Sequence, residues 1–202
     1  MLLAFAAIAN AQGKLGFTVE AGLNLSKFSG DTDQLTAGGG CDMKAGFNIG
    51  VMANVPFTDA IYLKSGLKYT QRGWQKESKE DDGVYDEHET LGYLQLPILF
   101  SYRYAISDNI ELQANVGPYL AYALHGKDAD DDDIFEYYDY KRFDFGLVLP
   151  SVGVTISNFY VGVSNELGLV NLIDEEYYDE AGDYNKNKWH NYCFSINVGY
   201  AF

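Results

Sequence analysis

Three histidines, His88, His125 and His190, carry the side chain best suited to proton transfer near neutral pH. A histidine-assisted hydrolase also needs a hydroxyl nucleophile and an orienting carboxylate within reach. Ser164 and Glu166 supply both types two residues apart. In an alternating segment that pair shares one face, whereas His190 falls in phase with Tyr192 on the opposite face and points away. The three histidines therefore read as interfacial or loop residues, and no enzyme is expected. A second group, Asp128, Asp130 and Asp132, has the alternate-residue spacing of a calcium loop. It departs from the EF-hand, since Asp133 stands where that loop needs glycine and Asp139 where it needs a bidentate glutamate. The expectation is no cofactor, with a divalent cation held by these three carboxylates as the candidate metal site. Cys41 and Cys193 would bridge only if a loop and a strand interior came together, so their pairing stays open. Glycine-rich phosphate loops, zinc patterns and nucleophile elbows are missing from the sequence.

The elements that would position these residues are strands. From Lys14 onward, apolar side chains recur at every second residue over eight stretches longer than ordinary soluble strands. Leu15, Phe17, Val19, Ala21, Leu23 and Leu25 share one face of the first, opposite Gly16, Thr18, Glu20, Gly22, Asn24 and Ser26. The last ends the chain with Tyr192, Phe194, Ile196, Val198, Tyr200 and Phe202 in phase. In the sixth, the step from Leu149 to Val152 breaks the alternation at Pro150-Ser151, where a β-bulge would absorb the extra residue and accommodate the proline. Short connections around Pro56–Asp59, Ser107–Asn109 and Ser157-Asn158 alternate with long polar ones at roughly 27–41, 75–89, 125–141 and 171–188. The pattern predicts an all-β fold: an eight-stranded antiparallel up-and-down transmembrane β-barrel with short periplasmic turns and long extracellular loops.

Periodicity alone does not say which face of such a barrel is outside, because a soluble barrel also alternates. Composition does. The polar faces are rich in Gly, Ser, Asn and Thr with isolated long charges, as the crowded interior of eight strands requires. Seventeen Tyr and twelve Phe exceed what a soluble core of this size would absorb, and many gather near segment ends as two girdles. The predicted interior charge network comprises Glu20, Lys44, Lys64, Lys68, Arg72, Arg103, Glu111, Arg142, Asp144 and Glu166. Opposite charges at that density should pair and close the lumen, so a wide pore is not expected. The chain has 29 acidic and 14 basic residues and a net charge of −15, which argues against nucleic acid as a partner. The four long loops hold 22 of the 29 acidic residues, concentrating the charge on one rim. No apolar run reaches the length of a transmembrane helix.

Residues 1–11 (MLLAFAAIANA) read as the remnant of a secretory signal peptide ending in Ala9-Asn10-Ala11, with its charged opening misassigned or trimmed. Residues 12–202 then form a single outer-membrane barrel domain with both termini periplasmic. Tyr200 and the terminal Phe202 resemble the signal by which barrel-insertion machinery recognises its clients. Several stretches, Tyr93–Tyr104 (YLQLPILFSYRY), Val116–Leu124 (VGPYLAYAL), Arg142–Gly146 (RFDFG), Gly168–Leu172 (GLVNL) and Asn197–Phe202 (NVGYAF), resemble the PorT-like outer-membrane β-barrel family of Bacteroidota. That resemblance implies an eight-stranded barrel of the OmpX and OmpA transmembrane type, usually without an assigned activity. The founding member's role in protein secretion is carried by no motif matched here. The expected function is surface interaction, adhesion or envelope organisation by a monomer in contact with outer-membrane lipid, lipopolysaccharide and an extracellular protein. The alternatives are an accessory of a secretion system and a lipid-active enzyme.

Overall fold

A computed structural model describes residues 15–30, 41–80, 83–137, 140–173, 176–178, 184–186 and 188–202. The expected signal remnant and most of the first long loop, including Asp31 and Asp33, lie outside them. The alternating segments form β1 (Gly16–Gly30), β2 (Asp42–Pro56), β3 (Ile61–Glu80), β4 (Gly83–Ser107), β5 (Ile110–Lys127), β6 (Phe143–Ile156), β7 (Phe159–Gly168) and β10 (Trp189–Ala201). A short helix, α1 (Ile134–Tyr137), precedes β6, and two short strands, β8 (Glu176–Tyr178) and β9 (Tyr184–Lys186), pair with each other before β10.

Each long strand pairs antiparallel with its sequence neighbour, β7 pairs with β10, and β10 closes on β1, giving a closed eight-stranded up-and-down barrel. Closure runs from Thr18↔Ala201 to Gly30↔Trp189. Full closure removes the edge strands that an open sheet would leave exposed. The short turns are tied to neighbouring turns and strand ends. Arg103 N donates to Ala60 O at 2.8 Å, Ser157 N to Asn109 O at 2.7 Å, and Asn158 Nδ2 to Ala201 O at 2.7 Å.

The alternation resolves with its apolar phase outside. Leu23 is 70% and Phe100 60% exposed, and Leu67, Leu94, Leu112, Leu120, Val161 and Val198 share that outer wall. The inward phase is polar and buried, including Asn24, Asn48, Thr70, Gln95, Asn115, Ser164 and Asn197. An apolar outside around a polar inside is the reverse of a water-soluble barrel. Aromatic clusters mark both ends of this wall. At the short-turn end, Phe159–Tyr200 and Tyr200–Phe202 meet edge to face with centroids 5.2 and 5.1 Å apart. At the long-loop end, Phe47 packs on Tyr69, which stacks on His125.

The bulge expected at Pro150-Ser151 is present: the β6–β7 register shifts between Val148 and Ser151, and the facing β5 shifts between Asn115 and Gly117. The boundaries of the long loops need correction. Residues expected as the 75–89 loop continue the ladder of β3 and β4, through Gln75↔His88 to Glu80↔Gly83. The expected loops at 125–141 and 171–188 likewise contain α1 and the β8–β9 hairpin. A backbone ladder needs no hydrophobic alternation to continue, so a strand that runs past the apolar wall keeps its pairing while the pattern that reveals it is lost.

Candidate functional site

Inside the barrel the long polar side chains sort into two layers. The one nearer the long-loop end centres on Arg72, whose side chain is fully buried. Its Nη1 donates to Asp144 at 3.0 Å and to Tyr119 Oη at 3.1 Å, and its Nη2 donates to Glu166. Glu166 also accepts from Lys68 at 2.7 Å and from Gln95 at 3.2 Å. Asp144 accepts from Tyr119 at 3.0 Å and Asn191 at 2.9 Å. The rings of Tyr119 and Tyr93 lie 4.7 and 5.4 Å from the guanidinium carbon, adding cation–π contact. Two cations and two anions in mutual contact make a charge-balanced plug across the lumen.

The second layer, near the short turns, holds Lys64 and Glu20 at 2.5 Å and Arg103 and Glu111 at 3.5 Å. Lys64 lies over Tyr160 and Arg103 over Tyr62. A ladder of amides and hydroxyls occupies the wall above: Asn48 Nδ2 donates to Asn24 and Asn197, and Ser195 donates to Asn24. Glycines admit the long side chains. A Cβ on Gly162 would lie 2.2 Å from Tyr160 Oη, and one on Gly146 would lie 2.6 Å from the Tyr119 ring.

Eight of the ten residues expected in the interior network, Glu20, Lys64, Lys68, Arg72, Arg103, Glu111, Asp144 and Glu166, thus form two balanced layers. Lys44 is half-buried on the same phase of β2, opposite Ser26. Arg142 requires correction. It precedes β6, beyond the last β5–β6 rung at Tyr122↔Phe143, and its guanidinium lies 4.0 Å from the Phe135 ring while reaching the Ala123 and Leu124 carbonyls.

Over the plug sits an apolar cap that was not expected. Phe28, Trp74, Leu91, Ile134, Tyr140, Leu172, Ile173 and Trp189 are buried together, with Phe28, Tyr140 and Trp189 rings about 6 Å apart. Glu89, expected on the solvated acidic rim, is only 8% exposed inside this cap. It accepts from Trp74 Nε1 at 3.0 Å and Tyr140 Oη at 2.7 Å. Burial lifts its carboxyl above the ordinary range despite those donors. Burial, with Glu89 nearby, likewise pushes the Cys41 thiol up to about 11. Cys41 and Cys193 are both free thiols.

The calcium-like triplet does not assemble. Asp128 Oδ1 instead accepts the Asp130 and Asp132 amides at 3.0 and 2.9 Å, a local turn that turns its carboxylate onto its own backbone. No three acidic, histidine or cysteine side chains converge on a metal position among the described residues. The histidines also stay apart from the Ser164–Glu166 face. His125 shares a 3.0 Å hydrogen bond with Tyr69 Oη on the outer wall, and His190 Nδ1 lies 3.0 Å from the Val170 carbonyl. His88 is on the β3–β4 extension. The interior tyrosines were legible by phase, since Tyr93, Tyr119 and Tyr160 share a face with Gln95, Ala121 and Gly162. Trp74 and Glu89 continue the inward phases of Arg72 and Tyr93, but no local period signals the cap that buries them.

A closed barrel with its apolar face outward and a charged plug inside defines an integral membrane β-barrel protein. Residues 10–174 match the family model of the outer membrane protein beta-barrel domain, and the chain belongs to that family. In fold it is similar to Neisserial surface protein A (15% identity, 95% of this chain and 100% of that one, TM-score 0.50). It is also similar to OprG from Pseudomonas aeruginosa (13% identity, 93% and 95%, TM-score 0.49) and to Ail of Yersinia pestis (13% identity, 94% and 100%, TM-score 0.42). No curated protein matches the chain.

Proposed function

We propose that the long-loop end faces the exterior of the cell and acts there in surface interaction, adhesion or envelope organisation, with the short turns and both termini periplasmic. The observation that carries this reading is the two-stranded arm of β3 and β4. Its ladder continues from Gln75↔His88 to Glu80↔Gly83, beyond the last rungs these strands make with their other neighbours, Asp42↔Gln75 and Thr90↔Lys127. An antiparallel arm of this kind is the geometry to which an extended partner segment adds as a further strand. The ion-paired cluster that crosses the lumen at Arg72 supports a surface role over a wide pore. The separation of the histidines from Ser164 and Glu166 supports a non-enzymatic reading, and a lipid A mass profile altered by deleting the gene would overturn it.

Outer-membrane lipid and lipopolysaccharide are the proposed neighbours of the apolar wall, and Tyr200 and Phe202 the proposed contact for the insertion machinery. Photo-crosslinking from position 75 in intact cells tests the surface role. Adducts with extracellular protein that vanish when 77–86 are replaced by an Asn-Gly turn are expected. Their absence would sink it. A second reading, an accessory of protein secretion, is the one that adducts with secretion components would select.

A further inference from the structure

Below the Arg72 plug the lumen is not filled. A cavity of about 230 Å³ opens among the strand ends at the short-turn side, lined by Tyr62, Lys64, Arg103, Glu111, Gln113 and Tyr160, with Phe17 and Phe202 among the residues that complete it. It is separate from the long-loop end, where the surface role is proposed. Its two ion pairs are held differently. Lys64 and Glu20 meet at 2.5 Å with side chains 5% and 13% exposed, a closed structural pair. Arg103 and Glu111 are 3.5 Å apart and 15% and 30% exposed. That separation is too long for a good hydrogen bond. Arg103 keeps one close partner, Asn54 at 2.7 Å, and its Nε has no hydrogen-bond partner among the described residues. Among the described residues Glu111 accepts only from Gln113, at 3.2 Å, besides Arg103. Stacking on Tyr62, 4.1 Å from the guanidinium carbon, fixes the plane of the cation without using its donors.

We propose that this cavity binds a small zwitterion of amino-acid size, its carboxylate on Arg103 and its ammonium on Glu111. Charge balance favours that class. A lone anion meets Glu111 and Glu20 in the same cavity, a lone cation meets Lys64 and Arg103, and a molecule carrying both charges inserts between the loosely held partners and leaves each neutralised. Size sets the upper limit, since the volume is smaller than the roughly 300–1,000 Å³ of pockets for drug-sized ligands.

Titration of glycine into the refolded, isotope-labelled barrel in detergent micelles, followed by amide NMR, tests the proposal. Saturable shifts confined to residues around the cavity, such as Asn54, Gln113 and Thr155, are expected, with acetate and methylammonium each binding at least tenfold more weakly. Arg103→Gln and Glu111→Gln should each weaken glycine binding at least tenfold while the remaining amide spectrum stays dispersed. The wild-type titration decides even if a variant fails to refold. Absence of saturable shifts with glycine, or acetate binding as tightly as glycine, overturns the proposal.

Discussion

Arg72 is the residue on which the interior most depends, because its fully buried side chain faces Asp144 and Glu166 at once. Arg72→Leu leaves the buried Asp144 carboxylate without its cation and Glu166 with Lys68 alone, and should cost about 3–5 kcal/mol, read as a lower urea midpoint for unfolding from lipid vesicles. Gly162 depends on Tyr160 in the opposite sense. Gly162→Val drives a branched side chain into that ring and should cost about 1–3 kcal/mol by overpacking in the same assay. Cys41 allows a kinetic check. With its thiol pushed up to about 11 by burial and by Glu89, iodoacetamide should modify it far more slowly at pH 8 than a free cysteine, and equal rates would contradict the burial. At this scale the sequence was most legible where phase and charge coincide. Glu166 and Asp144 could be assigned inward from alternation alone, whereas the burial of Glu89 also depends on Tyr140, remote in sequence, which donates to it.

The cap and the barrel wall are elements of different kinds. The wall follows from local alternation, so its strands and even the Pro150-Ser151 bulge are readable from spacing. The cap is assembled from β1, β3, β4, β10 and the segments around α1 and Leu172, contacts that no local period encodes. Its response to pH has a definite sign. Burial raises the Glu89 carboxyl above its ordinary value of 4.5, and Asp128 adds to the same direction. A raised folded-state value means that protonation favours the closed cap, so its contribution is complete below the ordinary value and is lost as pH climbs through the folded one. Both tryptophans, Trp74 and Trp189, sit in the cap. Their fluorescence should therefore shift to the red as pH rises from about 4.5 toward neutrality, and Glu89→Gln should flatten the response. A wild-type emission maximum that does not move with pH would show that Glu89 does not govern the cap.

For the whole molecule, the outward apolar wall is the governing fact. Leu23, 70% exposed midway along β1, faces the hydrocarbon, and Leu23→Arg should destabilise the barrel in bilayers by about 2–4 kcal/mol. The plug makes stable conductance steps in planar bilayers unexpected, and their appearance would show that the charge layers open. Pairing of β1 with β10 joins the two ends of the described chain, with Phe202 N donating to Phe17 O at 2.9 Å. The order in which the strands are strung together is thus incidental to the closed cylinder. Joining the ends through a short linker and cutting at the Asp108-Asn109 turn would give a chain that begins with β5 and ends with β4, yet has the same neighbours all the way round. Such a circular permutant should still insert and resist detergent unfolding when unheated, since what the barrel needs is every adjacency and not a particular first strand.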